Sequence, residues 1–171
     1  KNEKNSSYSK HPLFPVPSTI TIKLPEIKDN LIEDVYDEIE LIGFPVTLSW
    51  FDIVEKWPKN TITASSLINN INKIVSIVGN LVHIKNVHTV NKEWMHFACF
   101  LDKENQFFDT VHFPNVLKKY PFKGNGLYHI KGKVIVEYNV PQIEVKTMEK
   151  LPLKKDPRYE NNIKLKNNVI Y

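Results

Sequence analysis

Apolar and polar positions along this chain change their period twice. Residues 1 to 30 have none: they are polar, then punctuated by Pro12, Pro15, Pro17 and Pro25, and read as an extended, partly mobile arm. From Asn30 the run NLIEDVYDEIELI sets Leu31, Val35, Ile39 and Ile42 on one stripe with Ile32 and Tyr36 beside it, which is helical spacing. Asn30 and Glu33 make a capping pair, acids fill the first turn, and Gly43 supplies the stop before Phe44 and Pro45. Such a stripe needs a cover, either the β-rich half of the chain or a preceding domain. Residues 45 to 73 read as a connector. It carries Trp50, Phe51 and Trp57 as core-sealing aromatics and a short helix near Ser65 to Asn70, capped by Ser65 or Ser66.

From Ile74 the period becomes two. The stretch IVSIVGNLVHIKNVHTV is long for a straight strand and holds Gly79 at its middle, where a strongly bent first strand needs a residue without Cβ. Two aromatic, β-branched runs follow, separated by Asp102, Lys103, Glu104 and Asn105 in the manner of a hairpin. On the first, Met95, Phe97 and Cys99 alternate with Trp94, His96 and Ala98. On the second, Phe107, Asp109 and Val111 alternate with Phe108, Thr110 and His112, until Pro114 ends it. We take Trp94, His96, Phe108 and His112 as the outward set. Val116, Leu117 and Tyr120 suit a short helix, LYHIKGKVIVEYN a fourth strand and QIEVKTME a fifth. Five short strands, a long first one and a helix after the third predict a mainly β fold, a five-stranded OB-fold barrel with a helical and extended lead-in. The expected division is an arm over 1–30, helix and connector over 31–73, barrel over 74–150 and a polar tail over 151–171.

Composition narrows the function. Hydrophobic residues are 42% and charged residues 25%, the balance of a globular chain. No apolar run approaches the roughly 18 residues of a membrane helix and no signal-peptide pattern appears. The single cysteine, Cys99, excludes an internal disulfide and the two-cysteine metal spacings, and a reducing cytoplasm fits. Lys1 in place of Met reads as the start of a fragment. The net charge is +4, yet residues 26 to 40 hold seven of the nineteen acids and one base, Lys28. The remainder therefore has 22 bases against 12 acids. That surplus is either the bias of a Lys- and Asn-rich composition or the footprint of a nucleic acid.

No catalytic constellation stands out. A G-x-S-x-G elbow is absent, Cys99 lies on the apolar side of its strand, and Asp102 and Asp109 suit a turn better than acid-base work. His11, His83, His88, His96, His112 and His129 form no H-x-x-x-H pair, so no metal is expected. Gly124 and Gly126 lack the lysine and helix of a phosphate loop, so no cofactor is expected either. A binding surface is left. Barrels of this kind bind oligonucleotides on the face of strands two and three, bordered by the loops after strands one and four. Those places hold Trp94, His96, Phe108 and His112 for stacking, Lys85, His88 and Lys92 in the first loop, and Glu137, Tyr138 and Asn139 in the second, and Lys133 is a further expected contact. The alternative is that two of the four rings only cover the barrel.

Several stretches together resemble a known family. They are Gly79-Asn80-Leu81-Val82, Thr89, Met95-x-Phe97, Leu101-Asp102, Val111-x-Phe113 and Lys131-Gly132-Lys133-Val134, with Glu38-Ile39-Glu40-Leu41-Ile42-Gly43-Phe44 upstream. In order and spacing they are similar, over residues 31 to about 150, to the region containing the OB-fold near the C-terminus of the alpha subunit of bacterial DNA polymerase III. The resemblance implies a single-stranded DNA-binding domain of a replicative polymerase, with the catalytic aspartates far upstream and no catalysis by this stretch itself. It also implies other replisome subunits and a sliding clamp as partners. Leu13 and Phe14 match the apolar end of the family's clamp-binding peptide, with Lys10 where glutamine is usual. Thr47-Leu48-Ser49-Trp50 replaces the family's glycine-histidine-proline turn. Two other functions fit the same residues: a protein-interaction module that positions replisome subunits, and RNA binding of the tRNA-anticodon type.

Overall fold

Strands begin where the period of the sequence becomes two. A computed structural model describes residues 30–159. Its strands are β1 (Ile74–His88), β2 (Trp94–Leu101), β3 (Phe107–His112), β4 (Leu127–Glu137) and β5 (Val140–Lys150). They close into a barrel in the order β1-β2-β3-β5-β4, with β4 returning to β1. Every neighbouring pair is antiparallel except β3 with β5. Helix α1 (Leu31–Ile42) lies on the N-terminal side, and α2 (Pro114–Lys119) falls between β3 and β4. This is the expected OB-fold architecture.

Closure depends on β1 serving two partners. Its first half pairs with β4, from Ile74 opposite Lys133 to Asn80 opposite Leu127; its second half pairs with β2, from Asn80 opposite Leu101 to His88 opposite Trp94. Between Leu81 and His83 the register slips, and both Val82 and His83 are exposed. An extra residue at this bulge reverses the phase of everything after it. Before it Val75, Ile77 and Leu81 point into the core; after it Ile84 does, so His83, Lys85 and Val87 face out. Gly79 sits two residues before the slip, and what it supplies is space. A Cβ there would lie 2.6 Å from Cζ of Phe108 and 2.8 Å from Cβ of Phe100, whose rings stack at 5.5 Å.

The interior corrects two expected site residues. Phe108 and His112 point into the barrel, with relative exposures of 3% and 0%. The inward set on β2 is Ala98 and Phe100, and on β3 it is Phe108, Thr110 and His112. The opposite face of β3 carries Asp109, whose carboxylate is too costly to strip of water, and that decides which face is out. Phe100, Phe108, Phe122 and Tyr128 form the aromatic centre. Beside them the His112 ring uses Nε2–H to donate to Thr110 Oγ1 at 2.8 Å, and that hydroxyl donates to the Ala98 carbonyl at 3.0 Å. Nδ1 of His112 has no partner, and Phe122 covers the ring at 4.8 Å. Burial, with His96 adjacent, lowers the His112 pKa to about 3, so the ring is neutral.

Outside the barrel the connector packs as expected. Trp50, Phe51 and Trp57 lie against Val54, Val78, Leu127 and Leu151. The expected short helix is a 3₁₀ segment, Ala64–Asn70, and neither Ser65 nor Ser66 caps it. The cap comes from far along the chain: Asp102 Oδ2 accepts from Ala64 N–H at 2.8 Å. Its other oxygen accepts from the N–H groups of Glu104 and Gln106 at 2.8 and 2.9 Å, which holds the β2–β3 turn. Asp102 is 1% exposed. For α1, Asn30 Oδ1 accepts from Ile32 N–H, Asn30 Nδ2 donates to Glu33, and Gly43 at φ +87° ends the helix. Only Val35 of its stripe is buried, while Leu31, Leu41 and Ile42 are exposed. Residues 151–159 are not a free tail. Leu153 bridges to Val54, Tyr36 donates to the Lys154 carbonyl, and Arg158 pairs with Asp37 at 2.5 Å and Glu40 at 3.5 Å.

Two outcomes test this interior. Asp102→Ala strands three N–H groups, at about 1–3 kcal/mol for each buried donor, so thermal melting should fall by roughly 10 °C. A melting point within a degree or two of the parent protein would refute the role given to Asp102. For His112 the folded value lies below the ordinary 6.5, so the unfolded chain takes the proton first. Stability from this group is whole above pH 6.5 and declines toward pH 3, by roughly 1.4 kcal/mol per pH unit. Carboxylates with lowered values, such as Asp156, act in the same direction only within the carboxylate range. Urea unfolding between pH 6.5 and about 5 should therefore show a loss of roughly 2 kcal/mol from His112, with His96, also lowered by burial, acting in the same direction, and His112→Phe should remove most of it.

Candidate nucleic-acid interface

Beyond the bulge, alternate residues of β1 and β2 meet in pairs on the outer surface: His83 opposite Cys99, Lys85 opposite Phe97, and Val87 opposite Met95. β3 continues the rows with Asp109 beside Cys99 and Val111, itself buried, beside Phe97, and β5 sets the largely buried Gln142 beside Asp109. Together His83, Lys85, Phe97, Cys99, Asp109 and Gln142 line a shallow groove of about 230 Å³. Phe97 is half-buried in it, which holds one ring steady while leaving part of it accessible. Burial and the neighbouring Asp109 push the Cys99 thiol up to about 11, so at neutral pH it is protonated and no nucleophile.

Two hairpin loops close the strand pairs, one between β1 and β2 and one between β4 and β5. In the first, residues 89–93, the Thr89 N–H donates to the Glu93 carbonyl at 2.9 Å and the Lys92 N–H to the Thr89 carbonyl at 2.9 Å. Lys92 adopts φ +60° at this loop, and Val90 is fully exposed. The second loop is Tyr138-Asn139, with φ +50° and +65°, the requirement of a type I′ turn between paired Glu137 and Val140. An aromatic residue in the left-handed region costs about 1–3 kcal/mol. Here it leaves the Tyr138 ring 94% exposed.

The other expected residues fall into three places. Lys85 lies on the groove, Lys92 lies in the β1–β2 loop on a separate hollow, and Tyr138 lies in the β4–β5 loop. Lys133 is half-buried on β4, opposite Glu144, which is itself paired with Lys146. His88 and Trp94 form the last pair of the β1–β2 ribbon, their rings 3.7 Å apart. Trp94 and His96 line a separate hollow of about 490 Å³ with Asn86, Leu117 and Lys118, and Lys118 pairs with Glu93 at 2.9 Å. They do not share a surface with Lys85. Phe108 and His112, inside the barrel, are on neither. Leu13 and Phe14 lie outside the described residues. Phe97, His83 and Met95 escaped the sequence reading, although Asp109 was the available signal: a carboxylate marks the solvent side, and pairing carries that side across to Cys99 and Phe97.

Among the described residues no helix is long and apolar enough to cross a membrane. No protein-family model and no curated protein sequence matches the chain. Solved structures are similar in shape. Replication protein A of U. maydis bound to ssDNA is 15% identical, covering 66% of this chain and 93% of that one, with a TM-score of 0.39. The second OB-fold domain of replication protein A from Methanococcus maripaludis is 12% identical, covering 50% and 91%, with a TM-score of 0.34. The dimeric N-terminal domain of PriB from Thermoanaerobacter tencongensis is 11% identical, covering 49% and 98%, with a TM-score of 0.36. Identities and scores this low leave function to be argued from the surface itself.

Proposed function

We propose that the outer groove of β1, β2 and β3 holds single-stranded DNA and that this chain performs no catalysis by itself. The observation that carries the proposal is the half-buried Phe97 ring, with Lys85 opposite it and His83 on the same groove. A fixed ring stacks any base, cations follow the phosphates, and these are the places where barrels of this kind take oligonucleotides. The stretches that resemble the polymerase III alpha subunit lie on α1 and the barrel. They favour a place within a replicative DNA polymerase, on its template strand, with the sliding clamp reached through Leu13 and Phe14. A protein-interaction role is supported on a different surface, because Leu41, Ile42, Phe44 and Val46 at the end of α1 are exposed. That role belongs to a replisome subunit docking there and leaves the groove free.

Fluorescence anisotropy with labelled oligo-dT at low salt tests the groove. Phe97→Ala should weaken binding by about 1–3 kcal/mol, and log affinity should fall against log salt with a slope of roughly 0.7 per phosphate neutralised. Absence of binding at low salt sinks the proposal, and stronger binding of RNA of the same sequence turns it toward RNA. In the β4–β5 turn, Tyr138→Asn suits the backbone and removes the ring. It should raise stability by about 1 kcal/mol while lowering affinity; a variant that gains stability and loses no affinity would remove Tyr138 from the interface.

A further inference from the structure

The outer rows of β1 and β2 do not stop at Cys99. Two residues further on, Leu101 shares its face and pairs with Asn80, and the surface there opens into a hollow of about 730 Å³. One wall is the connector, where Trp50, Phe51 and Trp57 back onto the second core cluster yet stay partly exposed. The facing wall is the β2–β3 turn, with Lys103 and Asn105. Lys103 is exposed and, unlike Lys118 and Lys146, enters none of the ion pairs among the described residues.

We infer that this hollow is a second nucleotide subsite, taking a further base and phosphate of the same strand that crosses Phe97. The inference rests on the function proposed for the groove and extends it. Indole and phenyl rings supply the stacking wall, the amides of Asn80 and Asn105 offer donors and acceptors to a base edge, and Lys103 offers the phosphate a free cation. Asp52 sets the orientation. Its carboxylate accepts from Ser49 N–H at 2.9 Å and Ser49 Oγ at 2.6 Å, which holds it below the ordinary carboxylate range and keeps it anionic. A phosphate is therefore directed away from the connector wall and toward Lys103. From Phe97 to Leu101 the strand advances roughly 13 Å, so a nucleic acid has to run past the groove to reach the hollow.

Oligonucleotide length separates the two sites. With the whole chain, affinities are measured for oligo-dT of about 4 and about 16 nucleotides, the range of site sizes for one such barrel. Trp50→Ala and Lys103→Ala should each weaken the longer oligonucleotide by about 5-fold or more and leave the shorter unchanged, whereas Phe97→Ala weakens both. Lys103→Ala should also lower the salt slope of the longer one by about 0.7. Should Trp50→Ala fail to fold, Lys103→Ala on its exposed turn decides alone. Binding of the longer oligonucleotide by Lys103→Ala at parental affinity and slope, or equal losses at both lengths, overturns the subsite while the groove stands. If the parent chain binds neither length, the groove fails, and the subsite with it.

Discussion

This five-stranded barrel closes through one strand hydrogen-bonded on its two edges along different parts of its length, β1. Its fifteen residues are divided between β4 and β2, and the slip between Leu81 and His83 lies where the second partner takes over. Without the extra residue, His83 and Lys85 would continue the inward series of Val75, Ile77 and Leu81. A lysine and a histidine would then displace the aromatic centre. The slip both completes the barrel and turns a charged row outward. Core and candidate surface are thus two results of one irregularity.

The interior accepts large rings because two glycines make way for neighbouring groups. Gly79 leaves room for the Phe100–Phe108 stack, and a Cβ on Gly132 would collide with the Glu144 carbonyl where β4 and β5 shift register. Tyr128 crosses the same space and ends in polar bonds, accepting from Lys123 N–H at 2.8 Å and donating to the Gly124 carbonyl at 2.5 Å. His112 is the one titratable ring in this wall held at 0% exposure, and it stays because Thr110 accepts one nitrogen while the other stays uncharged.

Fold and site differ in how far they could be read from residues. Strand number, both helices, the turn at Asp102 and the OB-fold order follow from period, turn chemistry and Pro114, because those signals are local. The choice of face on β2 and β3 was not local. Both alternating sets there contain aromatics, so hydrophobicity does not separate Phe97 from Phe100 or Phe107 from Phe108. The deciding facts are a charge on Asp109 and a cross-strand register, and the second exists only after folding. The same applies to Asp102 capping Ala64 across 38 positions, which no short-range rule reaches. Lys85, Lys92 and Tyr138 fall on or beside loops in the sequence as in the fold, because loop-flanking positions depend on strand order alone.

The segment after β5 has a topological consequence. Tyr36 meets Lys154 across 118 positions and Asp37 meets Arg158 across 121, so the two ends of the described chain are fastened to each other outside the barrel. Contacts this remote repay their loop-closure entropy only after the sheet exists. The clasp therefore forms late and opens early, and α1, whose stripe is uncovered at its two ends, Leu31 and Ile42, can come away while the five strands stay closed.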